Sequence, residues 1–449
     1  MDKRPASISL DGTSDVEDVV GSRTRRKIFR RILPFVFILY VVAYLDRANV
    51  AFAKLTMAKD LGFSEAVYGL GAGIFFIGYL LLEIPGAIIV ERWSARLWIA
   101  RILVTWGICT ILVGLVHTSS QFYITRTLLG IAEGGFFPGV VVYLSHWFYT
   151  SDRAKAMAGF TMAAPASLVL GAPLSAYIMR LNWFNLPGWR WVFILEGLPA
   201  IVFAIITLFY MTDHPKQATW LAPEEREWIA SQLEEEKKQK KQSSHLTIWQ
   251  GLRQRNVFLM AFTTFFGNIG IFAFVLWLPT TIKNDSGFSV FSSTVLSALP
   301  FACAMVSIYF FAKSSDRTGK RKLHTFIPLS LAAVFFMVSA LPGLPFPISF
   351  LFLCLTGATA MSWGVTFWIL PSLILGQSAA AATGLINIFS ALGSFVGPSV
   401  VGYLLSQGYS YRTTVMFLSC CFLMGAALVC GIRMQSEPEK AAGCLESRL

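Results

Sequence analysis

The sequence predicts an all-α integral membrane protein with twelve transmembrane helices in two pseudo-symmetric six-helix bundles. Three observations carry this. Of 449 residues, 55% are hydrophobic and only 14% charged, against roughly 25% charged in a soluble chain. The apolar stretches recur twelve times at spanning length, about 20 residues each. They fall six and six around one long polar gap. This composition excludes a cytosolic enzyme, a disordered chain and a secreted disulfide scaffold.

The expected spans are 32–53, 66–90, 97–117, 121–144, 156–179, 190–211, 256–282, 291–313, 324–342, 347–375, 379–406 and 412–433. Residues 1–31 read as a polar, disordered cytoplasmic tail, acidic at Asp11, Asp15, Glu17 and Asp18 and then basic from Arg23 to Arg31. Its apolar run starts too late for a cleavable signal peptide. The domains that follow are a bundle over 32–211, a linker over 212–255, a bundle over 256–433 and a tail over 434–449. The linker holds an amphipathic, charge-rich piece from Pro223 to Ile229, read as a short surface helix.

Lys and Arg set the orientation. The tail and the linker carry eight each, and 313–322 carries Lys313, Arg317, Lys320, Arg321 and Lys322. The alternate loops are poor, with Lys54 and Lys59 after span 1 and none over 343–346. Both termini are therefore expected inside the cell, in its inner membrane. The net charge of +12 lies between apolar runs without the aromatic interleaving of a nucleic-acid surface. The seven cysteines show no metal spacing and the five histidines are scattered, so neither a metal nor a cofactor is expected.

The halves look duplicated. Asp316-Arg317-Thr318-Gly319-Lys320-Arg321, between spans 8 and 9, answers Glu91-Arg92-Trp93-Ser94-Ala95-Arg96, between spans 2 and 3, at an offset of 225 residues. Pro173 in span 5 and Pro398 in span 11 repeat that offset. On these turns, and on Arg126-x-x-x-Gly130-x-x-x-Gly134 in span 4, the chain resembles the major facilitator superfamily over 32–433. The resemblance implies the major facilitator fold and alternating access. It implies gating roles for Glu91, Arg92, Arg96, Asp316, Arg317, Gly319, Lys320 and Arg321, which in that family latch the two halves.

Ionisable groups inside a bilayer are costly and mark function. The six C-terminal spans contain no Asp or Glu, and their arginines, Arg412 and Arg433, sit at the two ends of the last span. The N-terminal half has Asp46 and Arg47 in span 1, and Arg126 and Glu133 in span 4. At 1.5 Å per residue, Asp46 lies ~21 Å into span 1, and Arg126 and Glu133 ~8 and ~18 Å into span 4. Arg126 and Glu133 are two turns apart on one helix face. The expectation is one wet cavity receiving all four. The quartet is neutral with both carboxylates ionised, and protonation leaves it at +2. Arginine forks suit carboxylates, and burial disfavours a charged carboxylate. Protons and an anionic substrate would then favour each other's binding, the basis of symport. The bland alternative is two salt bridges tying span 1 to span 4.

Tyr44-Leu45-Asp46-Arg47-Ala48-Asn49, Arg126-x6-Glu133-Gly-Gly-Phe-Phe-Pro138-Gly and Trp189-Arg-Trp-Val-Phe-Ile-Leu-Glu196-Gly-Leu-Pro are similar to the anion:cation symporter family, with tartrate and hexonate carriers as the nearest type. That resemblance implies uptake of a sugar acid or tartrate-like carboxylate. It implies Asp46 and Glu133 as proton carriers, and Arg47 and Arg126 as substrate ligands. Uncharged candidates for substrate contact are Tyr44, Tyr79, Asn268, Thr366, Trp368 and Asn387, each of which could equally bond between helices. Glu196 and Glu83 read as structural.

The expected partners are a small organic anion, protons and the lipid bilayer, with the chain working as a monomer and no nucleic acid. Exchange, export and sodium coupling stay open. Span 5 lacks a clean Gly-x-x-x-Gly-Pro-x-x-Gly-Gly antiporter pattern, and a sensor without transport would need a signalling domain. Neither HExxH nor GxSxG occurs, so catalysis is not expected.

Overall fold

Twelve long apolar helical stretches cross a membrane's thickness in the computed structural model, which describes residues 11–242, 254–375 and 379–434. The helices are α1 (Asp11–Leu61), α2 (Glu65–Arg92), α3 (Ala95–Val113), α4 (Ser119–Glu133), α5 (Phe136–Ser145), α6 (Thr150–Thr161), α7 (Ala163–Ile178), α8 (Gly188–Tyr210) and α9 (Pro223–Gln242). The second half follows with α10 (Arg255–Ser286), α11 (Val290–Leu296), α12 (Ala298–Thr318), α13 (Arg321–Ser339), α14 (Phe346–Phe367), α15 (Leu370–Leu375), α16 (Ala379–Ser406) and α17 (Tyr411–Gly431). Spans 4, 5, 8 and 10 are each built from two consecutive helices.

The ends of the helices are written in the sequence. Ser64, Ser94, Thr118, Ser289 and Ser410 each accept a backbone N–H of the following first turn, satisfying one orphan donor. Gly287 and Gly319 close α10 and α12 in the left-handed region. The start of α1, α9, the start of α10 and the end of α17 lie at one end of the bundle, the linker end. The tight turns after spans 1, 3, 5, 7, 9 and 11 form the far end.

Two boundaries differ from expectation. Span 1 runs on to Leu61, so Lys54 lies inside a helix and not in a loop. Its start lies at Asp11, so residues 11–31 are helical where a disordered tail was expected. The reason is charge pairing. Arg23 Nε donates to Glu225 Oε1 at 2.8 Å, and Lys27 Nζ donates to Glu225 Oε2 at 2.9 Å. Arg25 Nε donates to Asp152 Oδ2 at 2.6 Å. These bonds dock α9 and the start of α6 against α1. Residues 1–10, 243–253 and 435–449 of the expected tails and linker lie outside the described residues.

The halves meet at the far end. On α2, Gly69 lies against Pro398 O and Gly402, and Gly73 against Phe395 O on α16. Phe76 packs on Phe272, and Tyr177 on Phe291. Toward the linker end, a Cβ at Gly364 or Gly384 would meet only open space.

Candidate functional site

Close approach of α2 and α4 builds the site. A Cβ at Gly130 would stand 2.0 Å from Phe75 O, so only glycine lets the two backbones touch there. Below it the span breaks at Gly134 and Gly135. Gly135 has φ +86°, which a side chain disfavours. The break ends α4 at Glu133 and leaves that carboxylate facing α1.

Three of the four expected charges come together. Arg47 Nε donates to Glu133 Oε1 at 2.6 Å, and Arg47 Nη2 stands 2.5 Å from the same oxygen. The Arg47 guanidinium carbon lies 4.7 Å from the Tyr79 ring centre, 5.6 Å from Phe75 and 5.8 Å from Tyr44. Arg126 reaches the same Phe75 ring at 5.0 Å. It spends Nε and Nη2 on the carbonyls of Gly71 and Ala72, each at 3.3 Å. Its third nitrogen, Nη1, is buried with no partner, and so is Glu133 Oε2. Both arginines line a small cavity of about 30 Å³ between the halves, closed opposite by Phe272, Val275, Leu276 and Pro398. Arg47 keeps 11% of its side chain exposed and Glu133 none, so access to the pair is over the arginine.

Asp46 departs from the expected quartet. One residue along a helix is about 100° around it, and Asp46 therefore faces α3. There it accepts from Thr110 Oγ1 at 2.9 Å, from Trp106 Nε1 and from Asn49 Nδ2 at 3.0 Å. It is buried inside the first bundle, away from Arg47's partner.

The C-terminal candidates scatter. Asn268 Nδ2 donates to Ser390 Oγ at 2.5 Å. Asn387 is half-buried on α16, three residues before Ser390. Trp368 is 41% exposed at the end of α14. Thr366 is corrected. It is fully buried, bonding to Thr325 Oγ1 at 3.0 Å and donating to His324 O at 3.0 Å, so it holds α14 to α13.

The expected gating turns bond within their own halves. Asp213 takes Ser94 Oγ at 2.7 Å and the Arg96 amide at 2.8 Å, while Glu91 stands 3.5 Å from His146. In the second half, Asp316 pairs with Arg321 at 2.6 Å, and the Gly319 amide caps α12 on Ser315 O. Arg92, Arg317 and Lys320 stand exposed on these turns. Among the described residues no group of three metal-ligating side chains occurs.

Sequence reasoning missed Lys54, Phe75 and Phe272. Lys54 is buried, pairs with Glu65 at 2.8 Å, donates to Thr280 Oγ1 at 3.2 Å and lies 3.8 Å from the Trp277 ring centre, bridging the halves. Lys54, with Val50 to Ala53 before it and Leu55 and Met57 after it, was the available signal for span 1 continuing. The phenylalanines carry none, since 38 are present.

Residues 36–398 match the family described as Major Facilitator Superfamily. Over 435 residues, covering 95% of this chain and 97% of the relative, the chain is 39% identical to a protein of Agrobacterium vitis named for tartrate transport. It is 34% identical over 421 residues to a quinolone resistance transporter of Acinetobacter baumannii, covering 92% and 96% of the two chains. The fold superposes on a bacterial homolog of the human lysosomal transporter Spinster, inward-facing and occupied, with a TM-score of 0.73 at 16% identity, covering 89% of this chain and 96% of that one.

Proposed function

Since the chain belongs to the major facilitator superfamily, a family of membrane transporters and not of enzymes, we propose that it imports a small organic anion, a sugar acid or tartrate-like carboxylate, together with protons. The observation that carries this reading is the Arg47–Glu133 pair beside the unpartnered Nη1 of Arg126, at a cavity between the halves. A substrate carboxylate and the Glu133 carboxylate compete for the Arg47 fork. Protonation of Glu133 removes the competitor and adds one positive charge to the site. Arg47 then takes the substrate, and Arg126, held on the α2 carbonyls, contributes its free N–H. Proton and anion therefore raise each other's affinity.

Tyr44 and Tyr79 flank Arg47 and supply hydroxyls to the same ligand. Asn268, Asn387 and Trp368 are the groups of the other half that would meet it as the halves rock, and the exposed turns at Arg92 and Arg317 would latch the opposite state. The excess of Lys and Arg at the linker end puts that end in the cytoplasm, with the far end closed in this conformation. The relative named for tartrate transport supports the substrate class.

The test is uptake into proteoliposomes under an imposed pH gradient, inside alkaline, competed by tartrate, hexonates, aromatic acids and short dicarboxylates. Accumulation driven by the gradient and blocked by one of these acids is expected. Uptake unaffected by the gradient refutes proton coupling. Export is the second reading, favoured by the quinolone-resistance relative. Loss of preloaded substrate against its gradient in the same vesicles would establish it.

A further inference from the structure

Glu83 on α2 is a carboxyl that the cycle above leaves unused, with 9% of its surface exposed. Arg92 ends α2, so Glu83 lies about 14 Å inside the span from the linker end, at 1.5 Å per residue. A structural role at that depth calls for a partner, because an unpaired charge there is costly. Among the described residues Glu83 has none, since no donor bonds its carboxyl and no cation forms an ion pair with it.

Its neighbours place it beside the site. Tyr79, one turn earlier on the same face of α2, carries the Arg47 guanidinium 4.7 Å from its ring centre. The break that follows Glu133 packs on this same stretch of α2. A Cβ at Gly134 would stand 2.8 Å from Tyr79 O and 2.9 Å from Leu82 Cβ, and one at Gly135 would stand 2.9 Å from Gly86 Cα. Phe76, two turns before Glu83, meets Phe272 of the other half, so this face of α2 is turned to the cleft. Glu83 is the first acidic residue of α2 past Tyr79 toward the linker end.

The charged groups around it are few. Arg47 on α1 acts on it electrostatically. Glu133 on α4 is bonded to Arg47, and Arg126 is held on the Gly71 and Ala72 carbonyls, further toward the far end. From the other half this face meets the uncharged Phe272. The Glu133 side chain is fully buried, so a proton leaving it needs an acceptor nearer the linker end.

We propose that Glu83 is that acceptor, a relay that carries the proton from Glu133 to water at the linker end. The anion leaves Arg47, the Glu133 carboxyl gives up its proton, and Arg47 closes on the carboxylate left behind. The Glu83 carboxylate takes the proton by way of cleft water. It then releases the proton at the linker end and returns to its charged form. Glu83 thus sets the rate of proton release and not the affinity of the site for substrate. The relay rests on the proton-symport reading.

The experiment compares gradient-driven uptake with counterflow of labelled tartrate in proteoliposomes. Glu83→Gln should slow gradient-driven uptake by about tenfold or more, because a positioned proton carrier is lost. Counterflow, which needs no net proton release, should keep its rate. Heavy water should slow uptake by the variant more than uptake by the unaltered protein, and Glu83→Asp should restore part of the rate. Should Glu83→Gln not fold, Glu83→Met removes the carboxyl equally and the same split is expected. Gradient-driven uptake at the unaltered rate without the carboxyl overturns the relay. Equal loss of uptake and counterflow, with no rescue by Glu83→Asp, makes the residue structural and overturns it too. Failure of the symport reading shows in the unaltered protein, as tartrate uptake that is absent or ignores the gradient, whereas failure of the relay alone shows only in the variants.

Discussion

Asp46 and Arg47 are adjacent in the chain and serve different surroundings. The Arg47 guanidinium faces the cavity between the halves and binds Glu133 at 2.6 Å. The Asp46 carboxylate faces α3, held by Trp106 and Thr110. Their substitutions should therefore fail in different ways. Asp46→Asn is expected to abolish proton-driven accumulation while substrate still binds, since no substrate-facing group is touched. Equal loss of binding and accumulation would place Asp46 in the substrate site.

Glu133→Gln removes the charge that occupies Arg47. Substrate should bind at high pH as well as at low pH, exchange should persist, and accumulation should be lost. Counterflow and gradient-driven uptake, measured on the same vesicles, separate the two activities. Gradient-driven accumulation at the unaltered level would refute the role of Glu133.

Arg126→Lys keeps the charge and loses the fork. A lysine has three N–H donors, but all on one tetrahedral nitrogen, so it cannot span the Gly71 and Ala72 carbonyls as Nε and Nη2 do and also present a planar N–H toward the cavity. Losing a hydrogen bond to a charged group costs about 1.5–3 kcal/mol, so affinity should fall roughly tenfold or more. Unchanged uptake kinetics would exclude Arg126 from the site.

Much of this arrangement was legible in the residues. The twelve spans follow from hydropathy, because spanning helices must satisfy their backbones internally. The lone charges Arg47, Arg126 and Glu133 announced themselves by their cost. Which way each charge turns was not legible. Depth follows from counting residues and sets Asp46 beside Arg47, whereas facing depends on which helix packs alongside, and α3 supplies the indole and hydroxyl that claim Asp46. Thr366 was misplaced for a related reason. A hydroxyl in an apolar run has the same signature whether it meets a ligand or, as here, the neighbouring helix.

Lys54 ties α1 to Thr280 and Trp277 of the other half. Lys54→Met should weaken the far-end closure and shift the carrier toward opening there. Spin labels at Lys59 and Phe288, both exposed at the far end, should report a larger share of long distances. An unaltered distance distribution would remove Lys54 from gating.

Gly130→Ala puts a methyl group against Phe75 O. Such overpacking costs about 1–3 kcal/mol. The thermal midpoint of the solubilised protein should fall, and uptake should fall with it as Arg126 leaves the α2 carbonyls. A midpoint and uptake both unchanged would show that α2 and α4 yield freely.

At the linker end, burial opposes the charge on Glu225, but the Lys27 ammonium, the Ala222 amide and the Arg23 guanidinium outweigh it and hold its carboxyl below the usual range. A depressed carboxylate stabilises above its ordinary titration range, about 4.3, and that contribution is lost as pH falls through the lower folded value. Docking of α9 on α1 should therefore be intact at neutral pH and released only in acid. Protease protection of the linker reports it, and Glu225→Gln should expose the linker at neutral pH. Protection unchanged in that variant would show the docking to be independent of this charge.

The central claim is that a proton on Glu133 frees Arg47 for the substrate. The direct measurement is substrate affinity of the purified protein by calorimetry from pH 5 to 8, with and without Glu133→Gln. Affinity should fall as pH rises in the unaltered protein and stay level in the variant. An equal pH slope in both would contradict the account.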